Sequence, residues 1–185
     1  MKNIVIRLLI LVVTGMTWTS FTLYAKDDDQ KTANGTSIGF FLGQIQRDLH
    51  IGASVTSPAF LNGAMAVRAN FALAYFEHIV RERTTWTPYH HGRIGIVGYS
   101  TIIAGAIRCY GEGGLILLFP STEFSEKSVI PGGYGHFGFE FLMSDHARYF
   151  LEIGGTGTGA TADRVPTKPL YSNGFVVAAG MRFSF

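Results

Sequence analysis

The stretch SNGFVVAAGMRFSF (172–185) governs how the rest of the chain is read. Its odd positions carry Phe175, Val177, Ala179, Met181, Phe183 and Phe185, and its even positions carry Gly174, Val176, Ala178, Gly180, Arg182 and Ser184. A two-residue beat belongs to a β-strand, because successive side chains on a pleated backbone point to opposite faces. One face here is continuously apolar and the other is small or polar, which suits a wall between hydrocarbon and a polar interior.

The same beat recurs upstream. Ala147, Tyr149, Leu151 and Ile153 oppose Arg148, Phe150, Glu152 and Gly154; before them, Phe137, Phe139, Phe141 and Met143 oppose His136, Gly138, Glu140 and Leu142. Only Ser144-Asp145-His146 separates the two runs, so they predict a hairpin with a tight turn. In 107–119, Ile107, Cys109, Leu115, Leu117 and Phe119 share a face against Arg108, Tyr110, Glu112 and Ile116. In 65–75, Met65, Val67, Ala69, Phe71, Leu73 and Tyr75 oppose Arg68, Asn70 and small residues. The stretch 93–103 reads as a weaker strand, apolar on both sides, and 36–46 and 49–57 as two strands containing glycine. The fold expected is all-β: a closed, antiparallel, eight-stranded transmembrane β-barrel with up-and-down connections, spanning residues 35–185. An even strand number puts both chain ends on one side, the periplasmic one, leaving 77–91, 121–133 and 157–171 as outer loops. The glycine-rich run 154–159 is followed by no helix pattern, so it reads as a strand end and not as a phosphate cradle.

Composition agrees. The chain has 185 residues, 47% hydrophobic and only 15% charged, with 23 glycines, too apolar for a disordered chain and low in charge for a soluble domain. Lys2 and Arg7 open the chain, Leu8 to Val13 are unbroken apolar residues, and Leu23-Tyr24-Ala25 ends on a small residue before Asp27-Asp28-Asp29. This order predicts a cleaved signal peptide (1–25) followed by a flexible periplasmic lead-in (26–34); a retained anchor helix is the competing reading. Removing Lys2 and Arg7 leaves 13 basic against 13 acidic residues, so nothing favours nucleic acid as a partner. Downstream, the best candidate for a spanning helix, 101–119, contains Arg108, Glu112 and four glycines, which argues against it. The single cysteine, Cys109, excludes an intrachain disulfide and a multi-cysteine metal site, and reads as a small apolar filler.

GHFGFEFLMSDHARYFLEIGG (135–155) resembles the penultimate hairpin of small outer-membrane β-barrels: an aromatic strand, a Ser-Asp turn, then a strand with an inward glutamate. AIRCYGEGG (106–114) is similar to a strand opening of those proteins, with Cys109 where proline is usual. The terminal GMRFSF resembles the signal, here Phe183 and Phe185, recognised by the barrel assembly machinery. The resemblance is to the OmpA/OmpX-type barrel superfamily, covers roughly 35–185, and implies outer-membrane lipids and lipopolysaccharide as surroundings and no cofactor.

Function, on this reading, turns on the inward charges: Arg68, Arg108, Glu112, His136, Glu140, Arg148, Glu152 and Arg182. Eight strands enclose a bore just wide enough for side chains, so these groups are expected to pair, with Glu112, Glu140 and Glu152 bridging Arg108, Arg148 and Arg182. The outcome is a plugged barrel acting through its surface loops, or else a narrow conduit in which pairs exchange partners. A deacylase acting on lipid A is the enzymatic alternative. Such enzymes place a serine two residues after a strand histidine, but His136 is followed by Phe137 and Gly138, and Glu140 stands about 13 Å along the same strand. His90 and His91, being adjacent, face opposite sides, so no metal is expected there and the pair reads as solvated or interfacial.

Overall fold

The structure, a computed structural model, describes residues 35–80 and 83–185. The expected signal peptide (1–25) and lead-in (26–34) lie outside the described residues. Eight strands follow one another: β1 (Ser37–Ile45), β2 (Asp48–Thr56), β3 (Met65–Val80), β4 (Arg83–Ile103), β5 (Ile107–Phe119), β6 (Ile130–Leu142), β7 (Ala147–Gly157) and β8 (Gly174–Ser184). Each pairs antiparallel with its successor, and β1 returns to β8 from Ser37↔Ser184 to Ile45↔Val176, closing an up-and-down barrel.

The two-residue beat sets which side chains enter the bore. On β3, Ala66, Arg68, Ala72, Ala74, Phe76 and His78 are buried while Val67 and Phe71 are exposed. On β8, Val176, Ala178, Arg182 and Ser184 are buried while Phe175 stands 61% exposed. Phe40, Ile51, Ile94, Leu115 and Ile153 continue the outward apolar band around the wall. No described helix is long and apolar enough to cross a membrane.

One end of the barrel carries tight connections. A three-residue turn with Ala104 and Gly105 at positive φ joins β4 to β5, residues 143–146 join β6 to β7, and Leu61, Asn62 and Gly63, all at positive φ, turn the chain between β2 and β3. This turn end also holds the C-terminus. The opposite, loop end differs from expectation. Residues 77–80 and 83–91 belong to strands and not to a loop, because β3 runs to Val80 and pairs with β4 as far as Val80↔Arg83, above the last pairs to β2 (Leu49↔Tyr75) and β5 (His90↔Phe119). The reason is that the beat continues past the barrel rim: Phe76, His78, Thr87 and Tyr89 stay buried, with Ile79 outside. The remaining long connections are 120–129 and 158–173, shifted from the expected 121–133 and 157–171 because β6 starts at Ile130 and β8 at Gly174. The weak pattern of 93–103 also has a cause: a bulge between Tyr99 and Ile102 breaks the register, and Ser100 Oγ accepts the Cys109 N–H at 3.0 Å.

Candidate functional site

Side chains from all eight strands meet inside the bore, and two glutamates organise the half nearer the turn end. Glu140 Oε2 accepts Arg108 Nη2 at 2.5 Å and Nε at 3.1 Å, while its Oε1 accepts Arg182 Nη1 at 2.6 Å. Glu152 Oε1 accepts Arg182 Nη2 and the Tyr110 hydroxyl, both at 2.6 Å, and Arg68 Nη1 at 3.5 Å. Exposure of Glu140 is 0%, of Arg68 0% and of Arg182 2%, so these are charge-assisted bonds made without bulk water. Aromatic faces complete the packing: the Arg182 guanidinium lies 3.7 Å from the Phe150 centroid and that of Arg108 3.9 Å from Tyr99.

Glu112 departs from the expected pairing with Arg108, Arg148 or Arg182. It accepts Arg68 Nη1 at 2.5 Å, the Tyr134 hydroxyl at 2.7 Å and Asn70 Nδ2 at 3.2 Å. Register explains the choice, since between Arg68 and the β5 wall stands Gly95, which has no side chain to block the approach. Arg148 also departs: among the described residues it has no carboxylate within 4.0 Å, its Nε has no hydrogen-bond partner, and its cross-strand neighbour is Arg182. His136 makes its acidic contact on the next strand and not along its own, with Nδ1 3.8 Å from Glu152 Oε2, and its Nε2 lies 3.4 Å from Arg93 Nη1.

Above this network lies a layer that the sequence reading missed. Arg93 is 4% exposed and sits 5.4 Å from the ring centroids of Phe41 and Tyr134. His50 and His91 are fully buried, 5.5 Å apart edge to face, and neither ring has a hydrogen-bonded nitrogen. His90 and His91 do face opposite sides, but His91 belongs to the bore and only His90 lies outside, stacked on Phe71 at 5.6 Å. No group of three or more His, Cys, Asp or Glu among the described residues is arranged to hold a metal ion. No serine hydroxyl bonds a described histidine ring, so the geometry gives the deacylase alternative no support.

The loop end is covered by apolar side chains. Phe124 from 120–129 and Ala160, Ala162, Val165 and Tyr171 from 158–173 pack with Phe76, Tyr89, Ile116 and Leu118 of the wall. Tyr171 and Phe124 centroids are 4.9 Å apart, and Phe76 lies 4.8 Å from Phe124. Polar ties hold the cover in place. Asp48 Oδ2 accepts the Tyr89 hydroxyl at 2.7 Å and the Ser172 N–H at 3.0 Å; Asp163 Oδ1 accepts the Glu126 N–H at 2.9 Å; Arg164 donates to the Thr122 carbonyl. The Asp163 carboxyl, in a loop, is held below its ordinary 3.8 chiefly by that Glu126 N–H.

The barrel, its paired interior and its covered mouth can be set against known structures. The N-terminal β-barrel domain of Pseudomonas aeruginosa OprF aligns with a TM-score of 0.58 at 12% identity, covering 82% of this chain and 98% of that one. The outer membrane protein OprG from Pseudomonas aeruginosa aligns with a TM-score of 0.59 at 13% identity, covering 85% and 99%. The fold is that of a small outer-membrane β-barrel. No protein-family model and no curated protein matches the sequence. In this barrel Phe183 is half-buried and Phe185 is 75% exposed at the end of β8, where Phe183 pairs with Ile38 and Ala147.

Proposed function

We propose that this chain is an integral outer-membrane protein whose bore is plugged by its own side chains, and whose role is exercised through the surface it displays outside the cell. That surface comprises the β3–β4 ladder and loops 120–129 and 158–173. The same proposal includes export by a cleaved signal peptide (1–25), a periplasmic lead-in (26–34), surroundings of lipid and lipopolysaccharide, and assembly through Phe183 and Phe185.

One observation carries the plug: Glu112, Glu140 and Glu152 hold Arg68, Arg108 and Arg182 at 2.5–2.6 Å inside the bore, beneath an apolar cover. Opening a water path would separate buried ion pairs, at a cost of about 3–5 kcal/mol for each partner left alone. It would also have to displace the ring cluster around Phe124. Planar-bilayer recording tests this. The refolded barrel is expected to show no steady conductance, whereas sustained, reproducible steps would establish the conduit reading instead. Mass spectrometry of lipid A from cells with and without the protein separates the enzymatic alternative, with unchanged lipid A expected.

A further inference from the structure

Charge in the bore does not balance. Among the described residues five arginines, at 68, 93, 108, 148 and 182, face inward against Glu112, Glu140 and Glu152, and Asp48 is engaged at the loop end by Tyr89 and Ser172. Glu140 serves Arg108 and Arg182, Glu152 serves Arg182 and Arg68, and no described carboxylate lies within 4.0 Å of Arg148. Its position sharpens the imbalance. Arg148 stands directly across the β7–β8 ladder from Arg182, and like charges so placed repel. Unlike a lysine, a guanidinium cannot escape by giving up its proton.

Other donors without partners share this end. The register row running from Arg148 through Arg182 and Gly39 reaches Ser54, so these positions lie side by side on the inner wall. Ser54 Oγ and Arg182 Cγ both lie within 3.0 Å of the point where a Cβ on Gly39 would stand. Arg148 Nε, Arg182 Nε, Ser54 Oγ and Ser184 Oγ are all buried and all lack a hydrogen-bond partner. Ser184 follows Arg182 by two residues on the same face of β8. Buried polar groups in folded proteins find partners. Water would satisfy the hydroxyls but leave the charge uncompensated, whereas an oxyanion meets both needs, because a guanidinium fork matches its paired oxygens and hydroxyls donate to the rest. Access is also present, as Arg148 is 6% exposed and is the second residue after the 143–146 turn, against 0% for Arg68 deep in the bore. Arg93, the other described inward arginine without a carboxylate, differs: two aromatic rings flank it and the apolar cover lies above.

We propose that the turn end of the bore is an oxyanion-binding site anchored by Arg148 and completed by Ser54, Ser184 and the free Nε of Arg182. A free phosphate and the phosphate of a lipid headgroup present the same chemistry. The test follows the thermal unfolding midpoint of the refolded full-length processed chain in zwitterionic micelles as inorganic phosphate replaces chloride at fixed ionic strength. The midpoint of the wild-type protein is expected to rise and saturate. Arg148→Gln is expected to start from a higher midpoint without phosphate, since it removes the uncompensated charge, and to lose the response; Arg93→Gln is expected to keep it. A wild-type protein indifferent to phosphate, or an Arg148→Gln variant that responds in parallel, overturns the site. Should that variant not refold, the Ser54→Ala/Ser184→Ala protein gives the same reading: a weakened response supports the site and an unchanged one overturns it. Competition between phosphate and short-chain phosphatidylglycerol added to the micelles assigns the lipid headgroup as source, and its lack assigns the free ion. A conducting barrel that still binds phosphate would defeat the plug and leave this site standing.

Discussion

Glu140 is the residue on which the interior most depends, because a single carboxylate holds Arg108 on β5 and Arg182 on β8. Glu140→Gln leaves Arg108 buried without a carboxylate and Arg182 with Glu152 alone, and is expected to cost about 3–5 kcal/mol in urea unfolding followed by circular dichroism in micelles. A loss below about 1 kcal/mol would show that water already screens the pair. At this scale the sequence was informative for charged groups and poor for uncharged ones. Arg108, Glu140, Glu152 and Arg182 announce themselves by parity against neighbouring apolar residues. Tyr110 follows the same parity, whereas Tyr134 does not stand out, since an aromatic side chain on a barrel strand suits the lipid face as well as the bore. Arg93 was hidden differently: glycines at 92, 95 and 98 and the bulge after Tyr99 blur the two faces of β4, although Arg93 is in phase with the inward His91 and Val97.

Among elements, cross-strand fit is tight where Tyr110 of β5 lies over Gly138 of β6. A Cβ on Gly138 would stand 2.3 Å from the Tyr110 ring, and Tyr110 is the donor to Glu152. Gly138→Ala is therefore expected to lower stability by about 1–3 kcal/mol, the usual cost of overpacking, and to disturb the Tyr110–Glu152 bond, visible as a shift of the Tyr110 ring resonances. A neutral effect would mean that Tyr110 moves aside freely. The loop cover is a separate element with its own test. Phe124→Ala removes the ring that joins Phe76, Tyr89 and Tyr171, so trypsin is expected to cut at Lys127 or Arg164 sooner while the strands stay protected. Equal protection would show that the loops hold without the ring cluster. Acid acts on the same cover. Because folding lowers the Asp163 pKa, its contribution is fully present above the ordinary carboxylate value and is lost as pH falls through the lowered one. Amide exchange at Glu126, corrected for its intrinsic pH dependence, is thus expected to gain speed below about pH 4. None of this cover was readable beforehand, since Phe124, Ala160, Ala162, Val165 and Tyr171 follow no period. The ladder above the rim was read as an outer loop, although alternation persisted through Phe76 and His78 and again from Thr87.

For the whole molecule, the closing of β1 on β8 removes every edge in the zone common to the strands and leaves a band of exposed Phe, Ile, Leu and Val that a water-soluble protein rarely shows. Strand number and meander order were legible because a period of two leaves each strand with one inner and one outer face. The pairing pattern was not, because it depends on register, which a single glycine such as Gly95 can redirect. The division of each strand into a lipid face and a bore face underlies the whole molecule, and methyl Overhauser contacts in lipid nanodiscs test it without altering the chain. Methyls of Ile51, Ile94, Leu115, Leu151 and Ile153 are predicted to contact acyl chains, while those of Val97, Ile116, Leu118 and Val176 contact only protein. Acyl-chain contacts from the second group, or their absence from the first, would contradict the account.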